Sequence, residues 1–201
     1  MRSAAQDALP KIALLCALLP AGAGCGSQSL ADRAQAMLDA QNAGQVDLAL
    51  SFFAPGARIE NDGLWAREGA AQIRDYCELQ QRIRGRFLLH DLRERRDRVI
   101  CDIEERNDLL DLLGIEAIFY RNATILFGPR GITRVQMRRG ARSRKAQERC
   151  RLAFARWARE WRRHDLERLI ARSGFEVTSE TVAAWRELLE AYRRANPEGC
   201  R

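Results

Sequence analysis

Asp39–Cys77 reads DAQNAGQVDLALSFFAPGARIENDGLWAREGAAQIRDYC, and the order of signals in it decides the fold. A helix closes at Asn42-Ala43-Gly44, where Gly44 is a natural terminator because it takes φ > 0 without steric penalty. A second helix spans Val46–Phe53, with Val46, Leu50 and Phe53 on one face. Asp47 lies in its first turn, where the helix dipole favours an acid. Pro55-Gly56 ends it. Ala57–Glu60 and Leu64–Arg67 then form a short hairpin about Asn61-Asp62-Gly63. Ala70–Leu79 is a third helix turning Ile73, Tyr76 and Cys77 inward. Upstream, Leu30–Ala43 is the first helix, with Ala34, Met37, Leu38 and Gln41 on one side at spacings of three and four. This order builds one wall and the rim of a cone-shaped pocket.

Later segments supply a sheet to close it. Phe87–Glu94 and Val99–Arg106 read as strands joined by Arg95-Arg96-Asp97. In the second, Val99, Cys101 and Ile103 alternate with Ile100, Asp102 and Glu104, the pattern of a strand with one buried face. Asp108–Ile115 is a small apolar helical turn capped by Gly114. Ala117–Phe127 and Ile132–Arg138 form a hairpin across Gly128-Pro129-Arg130-Gly131. The fold class is α+β: three N-terminal helices followed by an antiparallel sheet that can curl around them, with a C-terminal helical extension.

LDAQNAGQVDLALSFFAPGARIENDG, REGAAQIRDY and ERNDLLDLLGIEAIFYRNATILFGPRGITRVQMR together resemble the nuclear transport factor 2-like superfamily, and within it the SnoaL-like bacterial domains. The resemblance covers about Leu30 to Arg138 and places the cone domain at residues 30–139. It implies a cone-shaped, curved antiparallel sheet wrapped around the three helices, with a central pocket, in a superfamily of isomerases, cyclases, hydrolases, dehydratases and non-catalytic binding or dimerising modules, among which fold does not choose. Ketosteroid isomerases are similar in the first half. Their phenolic oxyanion donor falls on Met37 and their general-base Asp on Asn61, with Asp62 one residue on. Met37 has no donor and Asn61 takes no proton, so that mechanism is disfavoured. A one-residue shift would bring Asp62 into the role, while a plain turn explains Asn61-Asp62-Gly63 without it.

Glu105 and Asn107 share parity with Val99, Cys101 and Ile103, which points them inward near the strand's end. Beside Arg106 or Tyr120, Glu105 is either a raised-pKa acid or ligand anchor, or one half of an interstrand ion pair at the sheet margin. Trp65 either stacks on a ligand at the pocket mouth or covers the open end of the core. The catalytic candidates are therefore Asp62 and Glu105, and the ligand-binding candidates Asn61, Trp65, Asn107 and Tyr120. The two histidines, His90 and His164, and the lack of a CxxC argue against a zinc or iron–sulfur site, so neither metal nor cofactor is expected. Nucleophile–base and phosphate-loop signatures are absent from the sequence.

The N-terminus reads as a targeting segment. Ile12–Leu19 is an apolar run far short of the roughly 20 residues that span a bilayer, followed by Pro20 and AGAGCG. Residues 1–25 are thus a signal peptide, with Cys25 the candidate for lipidation. The expectation is an exported bacterial protein, periplasmic or anchored in the outer membrane. Cys77, Cys101, Cys150 and Cys200 then face an oxidising compartment that permits two disulfides. Cys77–Cys101 and Cys150–Cys200 are the preferred pairs, against four buried free thiols.

The net charge of +7 sits in the last third, where residues 138–201 hold 17 Arg and Lys against 9 Asp and Glu. A basic two-helix extension occupies 144–196. Its first helix spans 144–172 with Cys150, Phe154, Trp157 and Trp161 as an apolar stripe. Its second, capped by Thr178 or Ser179, carries Val182, Trp185, Leu189 and Tyr192. The segment also resembles the opening of a second domain of the same superfamily, with GFEV as its first strand, docked by its tryptophans on the first domain or a partner. Phe154, Trp157, Trp161, Trp185 and Leu189 are expected in one cluster. The basic face admits nucleic acid, but interruption by Glu148, Glu160 and Glu167 favours a solvated face or anionic headgroups. The reading is an exported domain that binds a small apolar ligand or a protein partner, in or beside the cone. The alternatives are an isomerase- or hydratase-type enzyme using Asp62 or Glu105, and a structural homodimer module.

Overall fold

The computed structural model describes residues 28–62 and 64–200. α1 (Leu30–Asn42) is capped by Ser29, whose side chain accepts from the Asp32 N–H, and it buries Ala34, Met37, Leu38 and Ala40. α2 (Val46–Ser51) is shorter than the sequence suggests. The chain is already a strand at Phe53, and β1 (Phe53–Asn61) runs through the Pro55-Gly56 pair expected to end the helix. The ladder to β6 (Gly131–Met137) breaks register between Phe53 and Arg58, so the proline, which has no N–H to donate, sits where no bond is required. β2 (Trp65–Glu68) pairs antiparallel with β1, closing the expected hairpin. α3 (Gly69–Arg82) continues almost a turn beyond Leu79 and buries Gln80 with Ile73 and Tyr76.

β3 (Arg86–Arg95), β4 (Arg98–Arg106), α4 (Asp108–Leu113) and β5 (Ile118–Gly128) follow in the expected order. Gly114 ends α4 at φ 78°, a left-handed position that glycine takes at no steric cost. Among the described residues six strands lie in the order β2-β1-β6-β5-β4-β3, an open curved sheet. Every pairing is antiparallel except β1 with β6, which is parallel. The first three helices cover one face, with α3 against β1 and β2, and α1 against β3 and β4. Met37, Ile59, Ile73, Phe87, Ile103 and Ile125 meet there as the core of the cone.

The extension departs from the sequence reading in three places. The long helix is two: α5 (Ala141–Trp161) and α6 (Arg163–Ser173), broken at Arg162 with φ −141° and ψ 38°. α7 (Val182–Ala195) follows, and a straight helix would carry Leu169 about 28 Å from Cys150. The break folds Leu166 and Leu169 back onto Phe154, Trp185, Leu189 and Tyr192. Trp161 stands at that break, 67% exposed and outside the expected cluster. The GFEV segment is not a strand, and the cap of α7 is Thr181 rather than Thr178 or Ser179. This second core packs on Leu79, Ile83 and Leu109 of the cone, which is where the tail's aromatics dock.

Of the two expected disulfides, Cys150–Cys200 is present, with Cα atoms 5.0 Å apart. Cys77–Cys101 is not: both are buried free thiols. Cys77 belongs to α3, over β1 and β2, whereas β6 and β5 intervene between β1 and the β4 strand that carries Cys101. Burial pushes Cys77 up to about 11 and Cys101 up to about 12, so neither is a ready thiolate. Cys25 and the apolar run before it lie outside the described residues. Among the described residues no helix is long and apolar enough to cross a membrane.

Candidate functional site

The interior of the cone holds a chain of hydrogen bonds built from four of the residues singled out by sequence. Glu105, at the inward parity of β4, accepts from the Tyr120 hydroxyl of β5 at 2.6 Å and from the Asn107 amide at 3.0 Å. Asn61, the last residue of β1, donates to the Tyr120 oxygen at 3.4 Å. Asn107 serves twice, because its side-chain oxygen also accepts from the Leu110 N–H and caps α4. The helix cap thereby fixes the amide that holds the acid. All four residues are buried.

Burial pushes the Glu105 carboxyl above the usual carboxylate range, and hydrogen bonds from Tyr120, Asn107 and Gln80 pull against that without cancelling it. Burial likewise raises the phenols of Tyr120 and Tyr76 well above their usual value, with the Glu105 charge adding to both. Two acceptors in this region have no donor: Asn61 Oδ1 and Gln80 Oε1. Gln80 packs so closely on Gly85 that a Cβ there would collide with its side-chain oxygen.

The margin ion pair weighed for Glu105 belongs to its neighbour instead. Glu104 points to the outer face, where Arg106 reaches it at 2.6 Å and His90 at 3.0 Å, and the Arg106 contact holds its carboxyl low. On the same face Arg134 and Gln136 hold Glu60 down at about 2. Asp62 does not join the interior either. It is exposed in the turn after β1, at φ 47°, with Arg144 3.7 Å away. Trp65 lies against Tyr76 at 5.3 Å between ring centroids, with the Arg67 guanidinium over its face. It closes the core rather than standing free at a mouth.

Space is scarce inside. The apolar cavity bounded by Met37, Phe53, Ile59, Tyr76, Phe87 and Met137 measures about 20 Å³, room for one water. Outside it, between the end of α1, the α3–β3 turn and the β4–α4 junction, lies a half-open cleft of about 430 Å³. Arg84, Arg86 and Arg106 line it with Asp108 and Asp111. Gln41 borders both spaces, and Asn107 forms the cleft wall in front of Glu105. Sequence reasoning singled out neither Gln80 nor the cleft. Gln80 could have been found at spacings of four and seven from Tyr76 and Ile73, had the helix been extended one turn. Among the described residues no cluster of His, Cys, Asp or Glu is placed to hold a metal.

Family models and curated proteins give no match to this chain. Solved structures do. A protein of unknown function from Cytophaga hutchinsonii, described as NTF2-like, aligns with 58% of this chain and 96% of its own, at 14% identity and a TM-score of 0.47. The epoxide hydrolase/cyclase-like enzyme SalBIII, of pyran-ring formation in the polyether salinomycin, aligns over 56% and 92%, at 20% identity and 0.48. A candidate polyketide cyclase from Xanthomonas campestris pv. campestris aligns over 58% and 94%, at 19% identity and 0.46. These neighbours are NTF2-like and cyclase-type proteins, the kind the sequence resembles.

Proposed function

We propose that this chain is a small-molecule-binding domain whose cone takes an apolar ligand bearing one keto or hydroxyl group, anchored by Glu105. The observation that carries this reading is Glu105 itself, a buried carboxyl at the end of a bond chain from Asn61 through Tyr120. Burying an acid costs free energy that a purely structural core avoids, and functional sites are where such costs are accepted. The orphaned oxygens of Asn61 and Gln80 add to that cost, and a ligand hydroxyl would supply the missing donor. Met37 and Met137, unbranched and adaptable, bound the small cavity and are the side chains able to yield to a ligand. The cleft fronted by Gln41 and Asn107 is the route in. A raised-pKa acid could also transfer a proton to a bound carbonyl, so an isomerase- or hydratase-type reaction would use the same Glu105.

A second reading, a scaffold domain with a filled cone, rests on the 20 Å³ volume. An exported location, with tethering through Cys25, remains part of the proposal and is supported by the Cys150–Cys200 disulfide. Native mass spectrometry of protein purified from its own host tests the binding reading. The expected result is a non-covalent small-molecule adduct that Asn107→Leu and Glu105→Leu lose. A bare mass for the wild type, together with no thermal shift against cyclic ketones and phenols, would leave the scaffold reading standing.

A further inference from the structure

We propose that the outer face of α5 docks on an anionic lipid surface. Lys145, Arg149, Leu152, Arg156 and Arg159 follow one another at spacings of four, three, four and three, which sets them in a single row along one side of the helix. All five are exposed, Leu152 at 55%. The other side of α5 is occupied: Cys150, Phe154 and Ala158 are buried, and the Ser143 hydroxyl oxygen accepts from the Phe119 N–H. Docking of the extension on the cone therefore turns the row to solvent.

The row is also electrically unspent. Arg144, Arg151, Arg162, Arg168 and Arg172 around it each face a carboxylate. Among the described residues, Lys145, Arg149, Arg156 and Arg159 have none in salt-bridge range. Glu148 is taken up by Arg151 through two hydrogen bonds, and Glu160 flanks the row at its far end. Four free cations over about 21 Å of straight helix present a flat strip of positive potential.

A flat strip with a leucine at its centre fits a headgroup surface better than a phosphate groove. Arginine and lysine stems lie along an interface with their charges in the headgroups, and Leu152 gains by entering the acyl boundary. Nucleic acid would reward the four charges and leave the leucine in water. This site is separate from the cone interior and stands or falls independently of the ligand there.

Vesicle sedimentation of the full chain tests it, with phosphatidylcholine vesicles either alone or containing about one third phosphatidylglycerol. The readout is the ratio of anionic to neutral binding, so anything the N-terminal residues contribute equally to both is divided out. Each cation near such a surface is worth roughly a fivefold change in affinity. The double reversal Arg149→Glu/Arg156→Glu should lower the ratio by at least about 25-fold, and about 0.5 M salt should abolish the preference. Arg149→Lys/Arg156→Lys should keep it. Arg130→Glu, an exposed cation in the β5–β6 turn, should leave it unchanged. The proposal is overturned if the reversal matches the wild type, if the wild-type ratio is near one, or if duplex DNA strips the protein from the vesicles at equal charge.

Discussion

Replacing Glu105 with Gln isolates, among the described residues, the one carboxylate titration that the fold has displaced upward. In the wild type, burial raises the folded-state pKa above the value of the unfolded chain. Between those two values the folded protein holds a proton that the unfolded chain has released. Stability therefore falls as pH rises through that window, by at most about 1.4 kcal/mol per pH unit. Below the unfolded pKa of about 4.3 the contribution is fully present. The Glu105→Gln side chain keeps the volume and has no such titration. Its amide would face the Asn107 amide donor, and losing that bond costs about 1 kcal/mol at every pH. The difference between the two proteins should thus start with the wild type ahead near pH 4 and move toward the variant as pH rises. Urea midpoints from about pH 3.5 to 8.5 measure it. Glu60 and Glu104, held low by their partners, contribute stability that is lost as pH falls, but they do so in both proteins and cancel. Parallel curves over the whole range would mean that Glu105 ionises in the fold as it does in the open chain, and the anchor argument would lose its basis.

Four further outcomes test the extension and the thiols. Trp185→Ala should cost about 3–5 kcal/mol, since the ring is 4% exposed among Phe154, Leu188 and Leu189, whereas Trp161→Ala should cost under about 0.5 kcal/mol in the same denaturation assay. Trp185→Phe should lose less than its volume suggests, because the Trp185 Nε1 has no acceptor and its removal relieves a buried donor. Cys200→Ser should lower stability by about 4 kcal/mol in the chain-entropy model for a separation of 50 residues, read from urea unfolding with and without reductant. Cys77 and Cys101 should react with an alkylating agent only once the chain is unfolded, which mass mapping of the native protein would check.

The sequence by itself determined the order of elements in the cone, the inward set of β4, and most of the tail's apolar stripe, because each is a local periodicity or a turn preference. Val99, Cys101, Ile103 and Glu105 share parity whatever the strand packs against, so the inward placement of Glu105 was legible. Its company was not. Tyr120 reaches it from β5 and Asn61 stands across β6 from that strand, and such meetings follow from strand order, which no local pattern encodes. The same holds for the failed Cys77–Cys101 pair: both cysteines point inward, but only the sheet order reveals two strands between their anchoring elements. Trp161 shows the limit of periodicity most plainly. It continues the stripe of Cys150, Phe154 and Trp157, yet it is the last residue of α5, where the chain breaks at Arg162 and turns into α6, and there it is left in water. Whether the cone is open or filled was likewise decided only in three dimensions, since a pocket is the residue of how completely opposing side chains meet, and no single stretch of chain contains both sides.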